Sequence, residues 1–96
     1  MAITRPVEMK SLNSTGMVAG YKPVGSLDEA CRLIRVINAT TKDITISYDG
    51  YIDNDYLIAG ASLDVILPEA LWRRGTTVYA KGTAGTGFVF VTGYWC

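Results

Sequence analysis

Along most of this chain apolar and polar residues alternate with a period of two. Ile44, Ile46 and Tyr48 alternate with Asp43, Thr45 and Ser47, and Leu63, Val65 and Leu67 share one face of the run Ala61–Leu67. That period places successive side chains on opposite faces of a strand and predicts half-buried β-structure. Strands are expected over 17–25, 31–38, 43–48, 56–58, 61–67, 76–81 and 88–95, separated by turns rich in Gly, Asn, Asp and Thr. Cys31–Asn38 is apolar on both faces and β-branched, which predicts a central position. Pro23 puts the first strand at an edge.

The stretch Asp43–Gly60 reads as a strand broken by Asp49-Gly50, an acidic loop, and a returning strand from Tyr56. The loop Gly82–Gly87 reads as a glycine-threonine hairpin, since glycine supplies the positive φ that tight hairpins require. Helical signals are short. Ser26-x-x-Glu29 matches a capping box and predicts at most one helical turn over Ser26–Ala30, and Pro68 to Gly75 allows another. The expectation is an all-β chain. It forms a single small β-sandwich of jelly-roll or immunoglobulin-like size with roughly seven short strands. An extended N-terminal arm over 1–16 precedes the sandwich at 17–96. Ile3, Val7, Met9 and Leu12 suggest that this arm docks on something.

Composition narrows the functional classes. The chain has 96 residues, 49% of them apolar and 19% charged, which is one folded domain with a thin core. Nine basic and nine acidic residues give a formal charge of zero, whereas a nucleic-acid binder carries a basic excess. There is no histidine, so the commonest general base and the commonest zinc ligand are missing. No nucleophile sits beside a base, and an enzyme is not expected. Cys31 reads as a small buried thiol and Cys96 as a free terminal one; a disulfide between them would need adjacent strands. No run reaches the ~18 apolar residues of a membrane span and there is no signal-peptide core, so a soluble chain made in the cytoplasm is expected. The sequons at Asn13 and Asn38 are then coincidences.

Two stretches hold candidate chemistry. Asp49, Asp53 and Asp55 could supply carboxylates to a weakly held calcium ion, but their spacing fails the EF-hand pattern. Aspartate and asparagine also dominate turns for local hydrogen-bonding reasons, so no metal and no cofactor are assigned. Trp72, Arg73 and Arg74, together with Arg5, Tyr51 and Tyr56, are residue types enriched at protein–protein contacts and are the interface candidates.

The order of motifs resembles a group of small proteins of tailed bacteriophages. An Asn-x-Thr turn at Asn38–Thr40 leads to I-S-Y-D-G at Ile46–Gly50 and I-A-G at Ile58–Gly60. G-T-T-V-Y-A-K-G at Gly75–Gly82 and T-G-F-V-F-V at Thr86–Val91 complete the pattern. The likeness spans most of Tyr21 to Trp95. It implies a non-enzymatic virion component with a β-sandwich domain, in a neck or collar (head–tail connector) or as a capsid decoration. Its partners would be copies of itself and portal, capsid or neck subunits. The alternative from another class is a calcium-assisted carbohydrate-binding module using Trp72, the tyrosines and the acidic loop.

Overall fold

The computed structural model describes residues 5–6, 9–66 and 72–95. Among them there are nine strands and no α-helix: β1 Arg5–Pro6, β2 Lys10–Asn13, β3 Lys22–Ser26, β4 Leu33–Thr40, β5 Ile44–Ser47, β6 Asp55–Leu57, β7 Ser62–Ile66, β8 Thr77–Gly82 and β9 Gly87–Trp95. The seven strands expected from the alternation are β3 to β9, and the arm adds two more. A single turn of 3-10 helix at Ser14–Gly16 follows β2, capped by Asn13, whose Oδ1 accepts from the Thr15 backbone N–H at 3.0 Å.

The strands form two antiparallel sheets. The five-stranded sheet runs β1-β9-β4-β7, with β2 sharing the β9 edge with β1, and the four-stranded sheet runs β3-β8-β5-β6. From β2 onward the chain changes sheet at every connection except the β5–β6 hairpin. The orders β2-β9-β4-β7 and β3-β8-β5-β6 make this an eight-strand jelly roll, with β1 extending one edge. Closing the core between two such sheets requires one face of each strand to be apolar, which is what the period-two pattern supplies.

Ile34 and Val36 of β4, Ile44 and Ile46 of β5, Val78 and Ala80 of β8, and Val89 and Val91 of β9 form the core, all at most 1% exposed. β4 is central, pairing with β7 on one side and β9 on the other. Leu12 of β2 packs against the core, so part of the arm is a wall of the sandwich. Gly25 lies where β2 passes over β3: a Cβ there would come within 2.1 Å of the Lys10 Cβ, so a side chain would push the two elements apart.

One polar cluster lies inside this apolar interior. Asn38 is fully buried; its Nδ2 donates to the carbonyls of Lys42 at 2.9 Å and Leu57 at 3.0 Å. Its Oδ1 accepts from the Thr40 hydroxyl at 2.6 Å, and its backbone pairs with Ala61 and Gly60. The sheet-crossing connections β4–β5 and β6–β7 are therefore tied to one amide. The asparagine of the second sequon is a core residue.

Two expectations from the sequence are corrected. Gly82–Gly87 is not a hairpin: β8 and β9 lie in different sheets, and the loop carries the chain across the sandwich. Ser26–Ala30 forms no helical turn. Ser26 ends β3, its hydroxyl meets the Thr77 hydroxyl at 2.7 Å, and the Leu27 N–H goes to Thr76, so cross-strand partners take the groups that a helix would have used. The first half of the turn expected at Pro68–Gly75, residues 68–71, falls outside the described residues, as does Cys96.

Candidate functional site

The acidic loop between β5 and β6 is built around Asp49. Its Oδ1 accepts from the Ser47 hydroxyl at 2.8 Å and from the backbone N–H groups of Tyr51 at 2.8 Å and Ile52 at 3.0 Å. These donors, led by Ile52, hold its carboxyl below the usual aspartate range. Asn54 closes the loop from the other side, its Oδ1 accepting from the Tyr48 N–H at 3.0 Å while its own N–H reaches the Ile46 carbonyl at 2.9 Å. Gly50 turns with φ of +82° over the Tyr79 ring, 3.3 Å from where a Cβ would sit. At the tip, Tyr51 is 89% exposed and Ile52 60%.

The other two loop aspartates are used separately. Asp53 accepts from the Tyr21 hydroxyl and pairs with Lys81 at 2.9 Å; both lower its carboxyl, the tyrosine contact most. Tyr21 is pushed up to about 12, by burial first and Asp53 second. Lys81 lies 4.6 Å from the centre of the Tyr21 ring, within cation–π range. Asp55 accepts from the Tyr48 hydroxyl at 2.7 Å, and burial together with this bond raises the phenol. The three carboxylates thus diverge to different partners. Among the described residues no three His, Cys, Asp or Glu side chains converge as metal ligands.

The outer face of the four-stranded sheet carries an open groove of about 560 Å³ lined by Lys42, Asp43, Thr45, Tyr56 and Lys81. Tyr56 stands beside it, 64% exposed, its hydroxyl donating to Asp43 at 2.7 Å. This bond and the Ala59 N–H lower the Asp43 carboxyl. A shallower depression of about 280 Å³ continues over Asp53, Asn54 and Asp55.

The interface candidates do not gather in one place. Tyr51 and Tyr56 are exposed at the loop tip and on β6, and Arg73 and Arg74 are exposed in the turn before β8. Trp72 is half-buried instead: its backbone bridges Cys31, its ring lies 4.9 Å from that of Tyr48, and its Nε1 donates to the Val65 carbonyl at 3.3 Å. The Arg5 side chain lies outside the described residues. The exposed Ile52 was missed by sequence reasoning, although the Asp-Gly-x-Ile spacing that puts it at a loop tip is visible in the chain.

A jelly roll with no converging catalytic groups among its described residues defines a class of small β-proteins and no reaction. Within that class the chain is similar to the subunit structure from "Bacillus endospore appendages form a novel family of disulfide-linked pili". The TM-score is 0.53 at 17% identity, over 97% of this chain and 86% of that one. It is also similar to the crystal structure of PirA, with a TM-score of 0.52 at 14% identity, covering 99% and 95% of the two chains. At these identities the likeness is one of fold. No protein-family model and no curated protein matches the sequence.

Proposed function

We propose that this chain is a non-enzymatic structural subunit that works by packing against copies of itself and neighbouring proteins. The observation that carries this reading is the β5–β6 loop. Its polar groups bind one another, and the outcome of that bonding is a fixed frame that presents Tyr51 and Ile52 to solvent. An aromatic and an aliphatic side chain on a pre-ordered loop lose little conformational freedom when a partner covers them. Many symmetric copies make modest contacts of this kind add up. A fold shared with the subunit of a pilus supports the reading, since that protein is itself an assembly component.

The finer placement follows from the motif order: a multi-copy neck, collar or capsid-decoration protein of a tailed-phage virion, made in the host cytoplasm, with portal, capsid or neck subunits as partners. Neither similar structure is described as a phage protein, and this placement stands on the sequence motifs. The test is mass spectrometry of purified particles alongside a Tyr51→Ser, Ile52→Ser double variant. The reading expects the chain in the particles and the double variant left behind as folded protein. A chain missing from intact particles overturns the virion placement. Full incorporation of the variant overturns the role of the loop tip.

A further inference from the structure

The five-stranded sheet has its own outer face, where two apolar clusters stand among Ser11, Asn13, Ser62 and Thr92. In β9 the even-numbered residues point outward, in β4 the odd-numbered and in β7 the even-numbered, as their alternating burial shows. Register then places Ile66, Leu33 and Tyr94 side by side across three strands, and Ile37 beside Phe90 one strand over. Phe88 completes the second cluster, its ring centre 6.0 Å from that of Phe90. Phe88 is 42% exposed and Ile66 59%, and the described residues provide no third layer over the sheet.

Between the two apolar clusters lies Arg35, neighbour of Asp64 in the β4–β7 register. Its Nε and Nη2 donate to the two carboxylate oxygens at 2.7 and 3.1 Å, a bidentate pair. Both groups are perturbed towards their charged forms, chiefly by each other. Among the described outward residues of β4, β7 and β9 the charges are this one cation and one anion, already matched, and covering them leaves neither unpaired.

From this we propose that the outer face of the β1-β9-β4-β7 sheet is a self-association surface that packs against the same face of a second copy. This rests on the reading of the chain as an assembly subunit and names the partner and the surface. Three observations select a second copy. The other broad face of the molecule presents Lys42, Asp43, Asp53 and Lys81; pressing the apolar face onto it would desolvate those charges against Leu33, Ile37 and Phe90. Of the two broad faces of the chain, the like face is the one that offers apolar clusters to both ends. A two-fold relation lets Arg35 of one copy approach Asp64 of the other, so the charges are self-complementary, and the neutral chain adds no net repulsion between copies. Size agrees too. β9, β4, β7 and β2 hold 9, 8, 5 and 4 residues, and at about 3.3 Å by 4.8 Å per residue they make a face of roughly 400 Å² in projection, the share one partner gives to a small, weak interface.

The test is sedimentation of the full chain over a concentration series, with Ile37→Lys and Phe90→Glu compared with Thr45→Lys on the opposite sheet. The expected result is a dimer as the smallest associated species, weakened at least about tenfold by Ile37→Lys or Phe90→Glu and unchanged by Thr45→Lys. Ile66→Lys, at the exposed edge of the face, carries the test should either of the others fail to fold by circular dichroism. Exchanging the charges in Arg35→Asp with Asp64→Arg should preserve association, whereas Arg35→Glu alone should weaken it. Association unchanged by the face variants but abolished by the Tyr51→Ser, Ile52→Ser pair overturns this surface and leaves the assembly reading standing. A wild-type chain that stays monomeric at every concentration overturns the inference outright; the assembly reading is then decided by the particle composition.

Discussion

The two outer faces of this sandwich come from the same period-two alternation and have opposite chemistry. Outward positions of β4, β7 and β9 hold Leu33, Ile37, Ile66, Phe88, Phe90 and Tyr94 around one ion pair. Outward positions of β5, β6 and β8, with the neighbouring loops, hold Thr45, Tyr56, Lys81, Asp43 and Asp53; Tyr56 donates to Asp43, and Asp53 takes Lys81 and the Tyr21 hydroxyl. A sheet face needs only one apolar side to close a core, so apolar residues on its second side are not explained by folding of the single chain. The contrast separates what the fold requires, which both sheets share, from what one sheet adds.

The largest expected effect comes from loosening the tie between the sheets. Asn38→Ala should lower stability by about 3 kcal/mol, since it strips partners from several buried groups at both crossings and leaves a small void. Thermal and urea unfolding would show it, and both faces would be lost together. Trp72→Ala should cost about 2 kcal/mol by the same measurement, less than for a fully buried tryptophan because the ring is half-exposed beside Tyr48.

Protonation distinguishes the faces more finely. Asp43, Asp49, Asp53 and Asp64 all have lowered carboxyls, so their contribution is fully present above the ordinary aspartate range and is lost as pH falls through their folded values. Tyr21 works in the opposite sense. Its phenol is raised to about 12, so that contribution is present below the ordinary tyrosine value and is lost as pH rises towards 12. Stability should therefore form a plateau that falls on the acid side below about pH 4. Three of the four carboxylates belong to the four-stranded sheet and its loops. Added salt should shrink the acid effect, because these pairs are exposed, and should leave the apolar association little changed. The smallest effect is Asp53→Asn. It should bring the Tyr21 titration back towards the ordinary tyrosine range, read from tyrosinate absorbance, with no change in association.

Much of this was legible in the chain, and the reasons for the rest are local. The alternation in Ile44–Tyr48 and the two-sided apolar run at Leu33–Ile37 identified β5 and the central β4, since burial fixes side-chain parity directly. Partner choice was not legible. Gly82–Gly87 has the composition of a hairpin, but glycine and threonine suit a crossing loop equally well, and only the packed core decides which sheet receives β9. The capping-box spelling at Ser26–Glu29 lost to tertiary pairing with Thr77. The carboxylates that suggested a cation site each found a nearer donor in Tyr21, Tyr48, Lys81 or the loop backbone. The apolar outer face was spelled in Phe88-Val89-Phe90-Val91, yet a run apolar on both sides reads as a buried strand until its register against β4 is known.

On the proposal above, one face of the sandwich is covered by the same face of a second copy. A dilution series followed by amide and methyl chemical shifts tests it most directly, because it maps association onto residues without altering any of them. Concentration-dependent shifts are expected at Leu33, Ile37, Ile66, Phe90 and Tyr94 and constant ones at Thr45, Tyr56 and Lys81. Shifts confined to the four-stranded sheet, or none on either face, would contradict it.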